Sequence, residues 1–497
     1  MILERKQVIA AEQKTGKSEQ ELMDLAGRGC STVLLDEYPD HESFILLCGS
    51  GNNGGDGFVI ARQCIEDNRQ VCVVLMMDEI RSETARAQFD LIEGKCQIVK
   101  LSTLTEHQFH SLVRVYDVIV DCIFGFSFHA PLSESLRPYF QWINQNSTPV
   151  VSIDINSGLE CDNCYGDPDA LHSCLTLALG SLKPVHCFDR EHGLMDRIRV
   201  LDLGFEEVRD PLWYTLEASD VCRKLPRLKT GDYKNSTGRL GVIAGSPWMA
   251  GAALFNLEAA EACGCGMIHA MVDPMIYPIL QTACPHVVYH PFSPLNPQLV
   301  EFNKPCDALA LGSGCDHQKD FAHCLDILLR ISRIPMVLDA YALRCLAKNL
   351  NWLKSRQCDL ILTPHLGEFA DLCGCSTEEA DRNRITYARK LAMTYQVVVV
   401  LKGADTLICD PCGKICINKT GNPSLAKGGS GDLLTGMIAG LLAKGLKPVD
   451  AACCGVWLHG KAADLAAEKY SLYSIHHKEI LEGFNDFLFQ HQKEIWK

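Results

Sequence analysis

A glycine-rich run that ends in an aspartate, Gly428-Gly-Ser-Gly-Asp432, carries the strongest chemical signal in this chain. Glycine permits close approach of the backbone, so consecutive N–H groups can converge on an anion at the start of the helix that the apolar run 433–442 predicts. A carboxylate raises the electrostatic cost of binding an anion, so Asp432 must serve another purpose. Its most direct use is to take a proton from a hydroxyl group beside a phosphoryl group. The run therefore predicts an enzyme site in which Asp432 acts on a hydroxyl group.

Small or polar residues follow other strand-like runs in the same half of the chain. His365 and Glu368 follow the run 360–362, and Lys402 follows the run 397–401. Taken alone, His365 is more often a structural histidine, and Lys402 is more often a solvated lysine. Loops at the carboxyl ends of parallel strands lie on the same edge of a sheet. Because His365, Glu368 and Lys402 follow successive strand-like runs, they favour one nucleotide site that also includes Asp432.

These runs closely resemble the YjeF C-terminal family, the ADP- or ATP-dependent NAD(P)H-hydrate dehydratases, over about residues 228–490. The resemblance implies a ribokinase-like fold, with Mg²⁺ as the companion of ADP or ATP. The hydrate contacts that it implies are Ala252, Gly314, His365 and Asp432. The nucleotide contacts that it implies are Lys402, Gly403, Ala404, Asp405, Thr406, Asn422, Lys427, Gly428, Gly429, Ser430 and Gly431. The chain departs from the family pattern at Tyr341, Leu425 and Lys427.

A second glycine-rich run, Gly49-Ser-Gly-Asn-Asn-Gly-Gly-Asp-Gly57, lies in the first half between a predicted strand and a predicted helix. It satisfies the dinucleotide pattern G-x-G-x-x-G loosely, and that pattern alone is weak. The Asn-Asn-Gly-Gly-Asp core is more specific, because it adds amide and carboxylate groups inside the loop. The alternative interpretation is a tight, asparagine-rich turn.

Polar side chains also follow two other predicted strands of the first half. Asn53, Asp121 and Ser157 offer oxygen ligands that suit a hard monovalent or divalent cation. Asp154 is then available as an acid or a base. A lone aspartate at a strand end is often only a helix cap or turn residue. Three such positions in one predicted sheet favour a functional site.

This half resembles the YjeF N-terminal family, the NAD(P)H-hydrate epimerases, over roughly residues 1–220. The resemblance implies a Rossmann-like domain and a K⁺ ion held by Asn53, Asp121 and Ser157. Lys183 also matches a family motif, whereas Phe128-His129-Ala130 and Asn156 depart from the family pattern. The substrate contacts that it implies are Asn52, Asn53, Gly54, Gly55, Asp56, Gly125, Phe126, Ser127, Phe128, His129, Ala130, Pro131 and Asp154.

The elements that must position both sites alternate between strand-like and helix-like runs. Such alternation predicts α/β domains with parallel sheets. We expect an N-terminal Rossmann-like, doubly wound domain over 1–222 and a C-terminal ribokinase-like α/β domain over 223–497. The boundary follows a charged, turn-prone stretch that ends near residue 226.

Composition excludes several classes of function. The 497 residues carry a net charge of −14, which argues against nucleic acid and anionic membranes as partners. The amino terminus lacks the apolar core of a signal peptide, and we expect a cytoplasmic protein that forms a homo-oligomer. The 26 cysteines are expected in the core or in turns. A structural metal at Cys161 and Cys164, or at Cys409, Cys412 and Cys416, is the alternative.

Together the two resemblances imply a bifunctional enzyme that repairs hydrated nicotinamide cofactors. In that case one domain epimerises the R and S forms of hydrated NADH and NADPH, and the other dehydrates the S form at the expense of ADP or ATP. The first alternative is a small-molecule kinase, because ribokinase-like folds usually phosphorylate alcohols. The second is a nucleotide sensor or scaffold in which one or both domains are inactive, and it applies best to the first domain.

Overall fold

The computed structural model describes residues 1–188, 193–208, 210–316 and 320–496. It divides the chain into two compact units, Met1–Trp213 and Tyr214–Lys497. The division lies somewhat before the boundary predicted after residue 222. The reason is that helix α7, Ala218–Lys224, packs into the core of the second unit through Val221 and Cys222.

The first unit is a parallel α/β sheet with helices on both faces. In the described residues its seven strands have the order β3-β2-β1-β4-β5-β6-β7. The strands are β1 Ser43–Cys48, β2 Gln70–Leu75, β3 Gln97–Lys100, β4 Val118–Cys122, β5 Val150–Ile153, β6 Leu175–Leu179 and β7 Ile198–Leu201. The helices are α1 Arg5–Lys14, α2 Glu19–Glu37, α3 Asn52–Glu66, α4 Glu83–Asp90, α5 Glu106–Val113 and α6 Arg137–Gln145.

Local sequence explains these elements. Strand β1 is buried along its whole length, as a continuous apolar run in a parallel sheet requires. Ser18 is the N-cap of helix α2 and forms a capping box: Ser18 Oγ accepts the N–H of Glu21, and the Glu21 carboxylate accepts the N–H of Ser18. The strand order reverses between β1 and β4, which opens a crevice at their carboxyl ends.

The second unit contains a larger sheet with the order β11-β10-β9-β12-β13-β14-β15-β16-β17-β8 in the described residues. The strands are β8 Trp213–Tyr214, β9 Arg239–Ile243, β10 Met267–Val272, β11 Val288–Pro291, β12 Ala308–Leu311, β13 Met336–Leu338, β14 Leu360–Leu362, β15 Val398–Leu401, β16 Leu407–Cys409 and β17 Ile415–Ile417. The helices after α7 are α8 Ala250–Ala262, α9 Tyr277–Ala283, α10 Asn296–Asn303, α11 Phe321–Ile331, α12 Tyr341–Ala347, α13 Trp352–Ser355, α14 Leu366–Cys373, α15 Thr377–Arg382, α16 Arg384–Tyr395, α17 Ser430–Ala443, α18 Pro448–Ala467 and α19 His477–Ile495.

Strands β9 to β15 pair in parallel, and β16 and β17 add an antiparallel hairpin to this sheet. The two strands of the hairpin are joined by a turn at 410–413. Helix α17 is buried from Leu433 to Ala443 and packs against α8 and α18. The predicted fold class, two α/β domains with parallel sheets, is confirmed.

The cysteines lie mostly in the two cores. Cys161, Cys164, Cys409 and Cys416 are buried, whereas Cys412 is exposed in the hairpin turn. Within the described ranges, no cluster of three or more His, Cys, Asp or Glu side chains is placed to hold a metal ion. None of the described helices is both long enough and apolar enough to cross a membrane.

Gly49 and Gly51 provide a matched pair that tests how closely the first loop is packed. A Cβ atom at Gly49 would lie 1.9 Å from the carbonyl oxygen of Ile123, whereas one at Gly51 would meet nothing within 4 Å. We expect Gly49→Ala to lower the free energy of unfolding of the first unit by about 2 kcal/mol or more. Gly51→Ala should change it by less than about 0.5 kcal/mol. Urea denaturation of both variants measures the difference, and equal stabilities would contradict the packing.

Candidate active sites

The first site forms where β1, β4 and β5 end. Gly49 lets the loop after β1 pass against Ile123, and a Cβ at Gly54 would lie 2.1 Å from the Gly49 carbonyl oxygen. Helix α3 therefore begins at Asn52 close to the strand ends, with its N-terminus at the crevice. This end of a helix favours negatively charged groups. The second glycine-rich run is thus a close-packed helix start at a strand end, rather than only an asparagine-rich turn.

Asp154 and Lys183 form a buried ion pair at the end of β5. Asp154 has a left-handed backbone with φ +67°, a conformation that costs energy in a non-glycine residue and often marks functional sites. Its Oδ1 atom pairs with Lys183 Nζ, which also donates to the Leu179 carbonyl oxygen at 2.8 Å. Its Oδ2 atom accepts the N–H of Phe126 at 3.1 Å. These contacts fix the position of the Asp154 carboxyl group.

The three predicted cation ligands lie in one hydrogen-bonded cluster. Ser157 Oγ donates to Asp121 Oδ1 at 2.5 Å and accepts the N–H of Phe124 at 2.9 Å. Asn53 Nδ2 donates to the Phe124 carbonyl oxygen at 2.9 Å, while Asn53 Oδ1 is buried with no hydrogen-bond partner in the described residues. A buried oxygen without a partner is the feature that a bound cation would explain.

A cavity of about 680 Å³ opens beside these groups. The predicted contacts that line it are Asn52, Asn53, Asp56, Gly125, Phe126, Ser127, Phe128, His129, Pro131 and Asp154. Of the other predicted contacts, Gly54 and Gly55 are packed inside α3, and Ala130 donates its N–H to Glu160 at 2.9 Å. The structure adds Val8, Glu12, Glu19, Met77 and Arg81, together with the motif residue Lys183, to the lining.

Two other lining carboxyl groups, those of Asp56 and Glu12, have no ion pair with a lysine in the described part of the chain, unlike Asp154. Burial, together with the negative charges of Asp154 and Glu12, raises the pKa of Asp56 well above its usual range. Burial and the charge of Asp154 likewise raise the pKa of Glu12. The cavity therefore contains one carboxyl group that is paired with a lysine and two carboxyl groups whose pKa values are raised.

Both departures from the family pattern in this half have local partners. His129 Nε2 lies 2.9 Å from Arg5 Nη1. The buried Asn156 side chain donates to the carbonyl oxygens of Leu171 and Leu194, each at 2.9 Å, and its Oδ1 atom accepts from Thr176 at 2.6 Å. Asn156 thus stabilises the loop after β5 with hydrogen bonds.

The second site lies at the carboxyl ends of β12 to β15. Asp339, directly after β13, accepts from Lys402 Nζ at 2.8 Å and from Thr363 Oγ1 at 3.0 Å. Burial acts to lower the pKa of Lys402, but the charges of Asp339, Glu368 and Asp432 outweigh it and raise the pKa. Lys402 is therefore a stable ammonium group at the centre of three acidic residues.

Asp432 lies in the first turn of α17, beside this ammonium group. A Cβ at the neighbouring Gly431 would lie 3.4 Å from Lys402 Nζ. Burial and the charge of Asp339 raise the pKa of Asp432 to about 6, although Ser313 and Lys402 act in the opposite direction. A carboxylate whose pKa lies close to the pH of the surrounding medium is suited to accept a proton from a substrate.

His365 caps the start of α14. Its Nδ1 atom accepts the N–H of Gly367 at 3.1 Å. The ring is exposed, and its Nε2 atom lies 3.4 Å from Glu368 Oε1. The predicted contacts Ala252 and Gly314 pack together, because a Cβ at Gly314 would lie 2.7 Å from the Ala252 Cβ. The structure therefore gives His365 a capping role as well as an exposed position at a strand end.

The glycine run before Asp432 turns sharply, with Gly429 at φ +94° as the N-cap of α17. Asn422 is fixed by Asp464, whose Oδ1 atom accepts from Asn422 Nδ2 at 3.1 Å. The Lys427 ammonium group donates to the carbonyl oxygens of Tyr473 at 2.8 Å and Ile475 at 2.6 Å. Lys427, a predicted nucleotide contact, thus ties the run to the segment before α19.

The loop after Lys402 is also closed by its own side chains. Thr406 Oγ1 donates to the Gly403 carbonyl oxygen at 2.9 Å and accepts the Gly403 N–H at 3.3 Å. Asp405 is buried and pairs with Lys419 at 2.8 Å. Asp405 therefore stabilises the loop, while Lys402 at its start faces the acidic residues.

Comparison with known proteins assigns both units. Residues 240–484 match the family described as NAD(P)H-hydrate dehydratase, and residues 19–185 match the family described as YjeF-related protein N-terminus. A bifunctional NAD(P)H-hydrate repair enzyme of Moorella thermoacetica is 34% identical over 445 residues, which cover 86% of this chain and 83% of that protein. The Escherichia coli enzyme of the same description is 30% identical, with 92% and 87% covered. This chain belongs to the family of bifunctional NAD(P)H-hydrate repair enzymes.

Solved structures agree for the second unit. The ADP/ATP-dependent NAD(P)H-hydrate dehydratase of Bacillus subtilis, co-crystallised with ATP and Mg²⁺, is 30% identical with a TM-score of 0.51. The match covers 56% of this chain and 98% of that one. A ribokinase-like superfamily protein of Enterococcus faecalis, 22% identical with a TM-score of 0.51 over 59% of this chain and 100% of that one, supports the fold. The ribokinase-like fold of this family member is thereby confirmed.

The raised pKa of Asp432 predicts that its ionisation lowers the stability of the second unit. Asp432 ionises with a pKa of about 6 in the folded state, against a reference value of 3.8. The free energy of unfolding therefore begins to fall above pH 3.8, and this decrease is complete once the pH exceeds about 6. We expect Asp432→Asn to raise the free energy of unfolding of the second unit by about 1–2 kcal/mol at pH 8, and by less at pH 5.

Urea unfolding at the two pH values measures this effect. Asp371→Asn, at an exposed position of α14, is the matched control and should have no effect at either pH. A gain for Asp432→Asn that is the same at pH 5 and pH 8 would contradict the raised pKa.

Proposed function

We propose that this chain repairs hydrated NADH and NADPH in two steps, with the first unit as the epimerase and the second as the ADP- or ATP-dependent dehydratase. The observation that supports the dehydratase best is the position of Asp432 in the first turn of α17, beside the Lys402 ammonium group. The pKa of this carboxylate is raised to about 6. Family membership supplies the substrates, and the two strand-end sites supply the chemistry.

In the dehydratase, Asp432 takes the proton from the hydroxyl group at C6 of the reduced nicotinamide ring. The freed oxygen attacks the terminal phosphoryl group of ADP or ATP, a phosphorus–oxygen bond forms, and AMP or ADP departs. Hydroxide is a poor leaving group, and phosphate is a better one. The carbon–oxygen bond then breaks, phosphate leaves, and loss of a proton from C5 restores the ring double bond.

Electrostatics in the second unit support this sequence. The transferring phosphoryl group carries negative charge, which the Lys402 ammonium group and the N–H groups of 428–431 would stabilise. Mg²⁺ enters with the nucleotide and would neutralise further phosphate charge. His365, Ala252 and Gly314 would position the hydrate near Asp432, and the loop 402–406 together with Asn422 would hold the nucleotide.

In the epimerase, Asp154 exchanges protons at the C6 hydroxyl group, and Lys183 keeps its carboxylate charged and oriented. K⁺ fits the cluster of Asn53, Asp121 and Ser157, because the buried Asn53 oxygen has no other described partner. A bound K⁺ would supply positive charge that orders the loop after β4. That loop and the start of α3 contribute the substrate contacts in the cavity.

Asp432→Asn tests the dehydratase mechanism. The amide cannot accept the hydroxyl proton, so we expect turnover to fall by about 10²–10⁴-fold, while nucleotide affinity is retained. In the unsubstituted protein, activity on the pure S hydrate should fall as the pH decreases through about 6, because protonated Asp432 cannot act as a base. Near-normal turnover of Asp432→Asn would rule out this role. Nucleotide binding by calorimetry is the control for folding.

A mixture of R and S hydrates tests both activities in one assay. With ADP or ATP and Mg²⁺, reduced nicotinamide absorbance should show complete conversion by the unsubstituted protein and release of inorganic phosphate. Asp154→Asn should stop after the S form is consumed, because its dehydratase site is intact while epimerisation is lost. Rapid complete conversion by Asp154→Asn would exclude its role. A stable phosphate ester in place of reduced cofactor would indicate a small-molecule kinase.

A further inference from the structure

Helix α1 places a glutamate in the wall of the epimerase cavity. Val8 and Glu12, four residues apart and therefore on the same face of α1, both line the cavity. Val8 and Ala11 are buried in a small cluster with Leu3, against which Phe126 also packs. Phe126 is the residue whose N–H holds Asp154. The packing of α1 thus fixes Glu12 on the wall beside the Asp154 loop.

The surroundings of Glu12 differ from those of Asp154. Asp154 has an ammonium partner and an N–H donor, whereas the half-buried Glu12 carboxyl group has no hydrogen-bond or ion-pair partner within the described ranges. The charged groups that act on Glu12 are Asp154, Lys183 and, on α2, Glu19. On α3, Asp56 is coupled to Glu12 in turn. Burial and the acidic neighbours together raise the pKa of Glu12.

We propose that Glu12 is the proton donor of the epimerase reaction and that Asp154 is the corresponding proton acceptor. This inference rests on the proposed epimerase function of the first unit. Glu12 lies outside the family match, which begins at residue 19, so the assignment depends on the cavity of this chain. The two carboxyl groups come from different walls, one from α1 and one from the end of β5, as inversion at a carbon atom requires.

The chemistry follows from this division. Glu12 protonates the C6 hydroxyl group, the carbon–oxygen bond breaks, and the oxygen leaves as water with the bonding electron pair. The lone pair of N1 forms the N1–C6 double bond of a ring cation, which nearby carboxylates stabilise. Water then adds to the opposite face of C6 and gives its proton to Asp154. The reverse sequence exchanges the roles of the two carboxyl groups, and no oxidant or reductant is needed.

Glu12→Gln tests this inference, with Glu93→Gln as the matched control. Glu93 is an exposed glutamate of the same unit and does not line the cavity. We expect Glu12→Gln to reduce the kcat of epimerisation by about 10²–10³-fold, while Glu93→Gln stays within about twofold. Glu12→Asp should recover part of the rate, because it keeps a carboxyl group that can donate a proton.

The pH profile and isotopic labelling separate proton donation from a structural role. Because the donor must be protonated, epimerisation by the unsubstituted protein should fall as the pH rises through the pKa of Glu12, and Glu12→Gln should lose this basic limb. In water enriched in oxygen-18, the product epimer should carry the label at C6. An unchanged rate in Glu12→Gln, or epimerisation without label, would overturn the inference. If the unsubstituted protein does not interconvert the hydrates at all, the proposed epimerase function itself is wrong.

Discussion

The removal of carboxyl groups from water is the constraint on which both sites depend. Burial disfavours the charged form of an acid, and only a nearby cation or a set of donors restores it. Asp154 pairs with Lys183, and Asp339 pairs with Lys402. Asp432 has no ion-pair partner within the described residues, and its pKa rises to about 6. Each unit thus combines a fixed carboxylate with an acid of altered proton affinity, and this pairing is what proton transfer requires.

Close packing of glycine makes this burial possible. Strand ends, a loop and a helix start can converge only where no side chain separates the backbones, as at Gly49 and Gly54 in the first unit. The same geometry directs N–H groups of the helix start toward the crevice, where negatively charged ligands are favoured. The glycines therefore have two linked effects, because they bring polar backbone groups to the site and they exclude water from the neighbouring acids.

Glycine runs and strand-end acids are local signals, so the fold class and candidate residues for both sites could be predicted from the sequence. It did not predict which partner each acid receives. The spacing of Asp154 and Lys183 along the chain does not indicate their ion pair, which depends on the pairing of β5 with β6. Lys427 is a predicted nucleotide contact, and its hydrogen bonds to the carbonyl oxygens of Tyr473 and Ile475 could not be predicted from the sequence around it.

Two other differences have the same origin. The predicted boundary after residue 222 followed composition, whereas α7 is assigned by its packing in the second core. Helix α1 carries Glu12 with no motif around it, and only the cluster of Val8 and Ala11 reveals which face meets the cavity. Long-range packing, which a single sequence does not display, thus decided each case.

The charged groups of the two sites suit the two proposed reactions differently. The first cavity is lined by Glu12, Asp56 and Asp154, with Lys183 already engaged by Asp154. Such a wall would stabilise the positive charge that the proposed epimerisation develops on the nicotinamide ring. The second site has the Lys402 ammonium group beside the start of α17, and these groups would stabilise the negative charge of the proposed phosphoryl transfer. The two proposed reactions develop opposite charges, and each site provides groups that would stabilise its own.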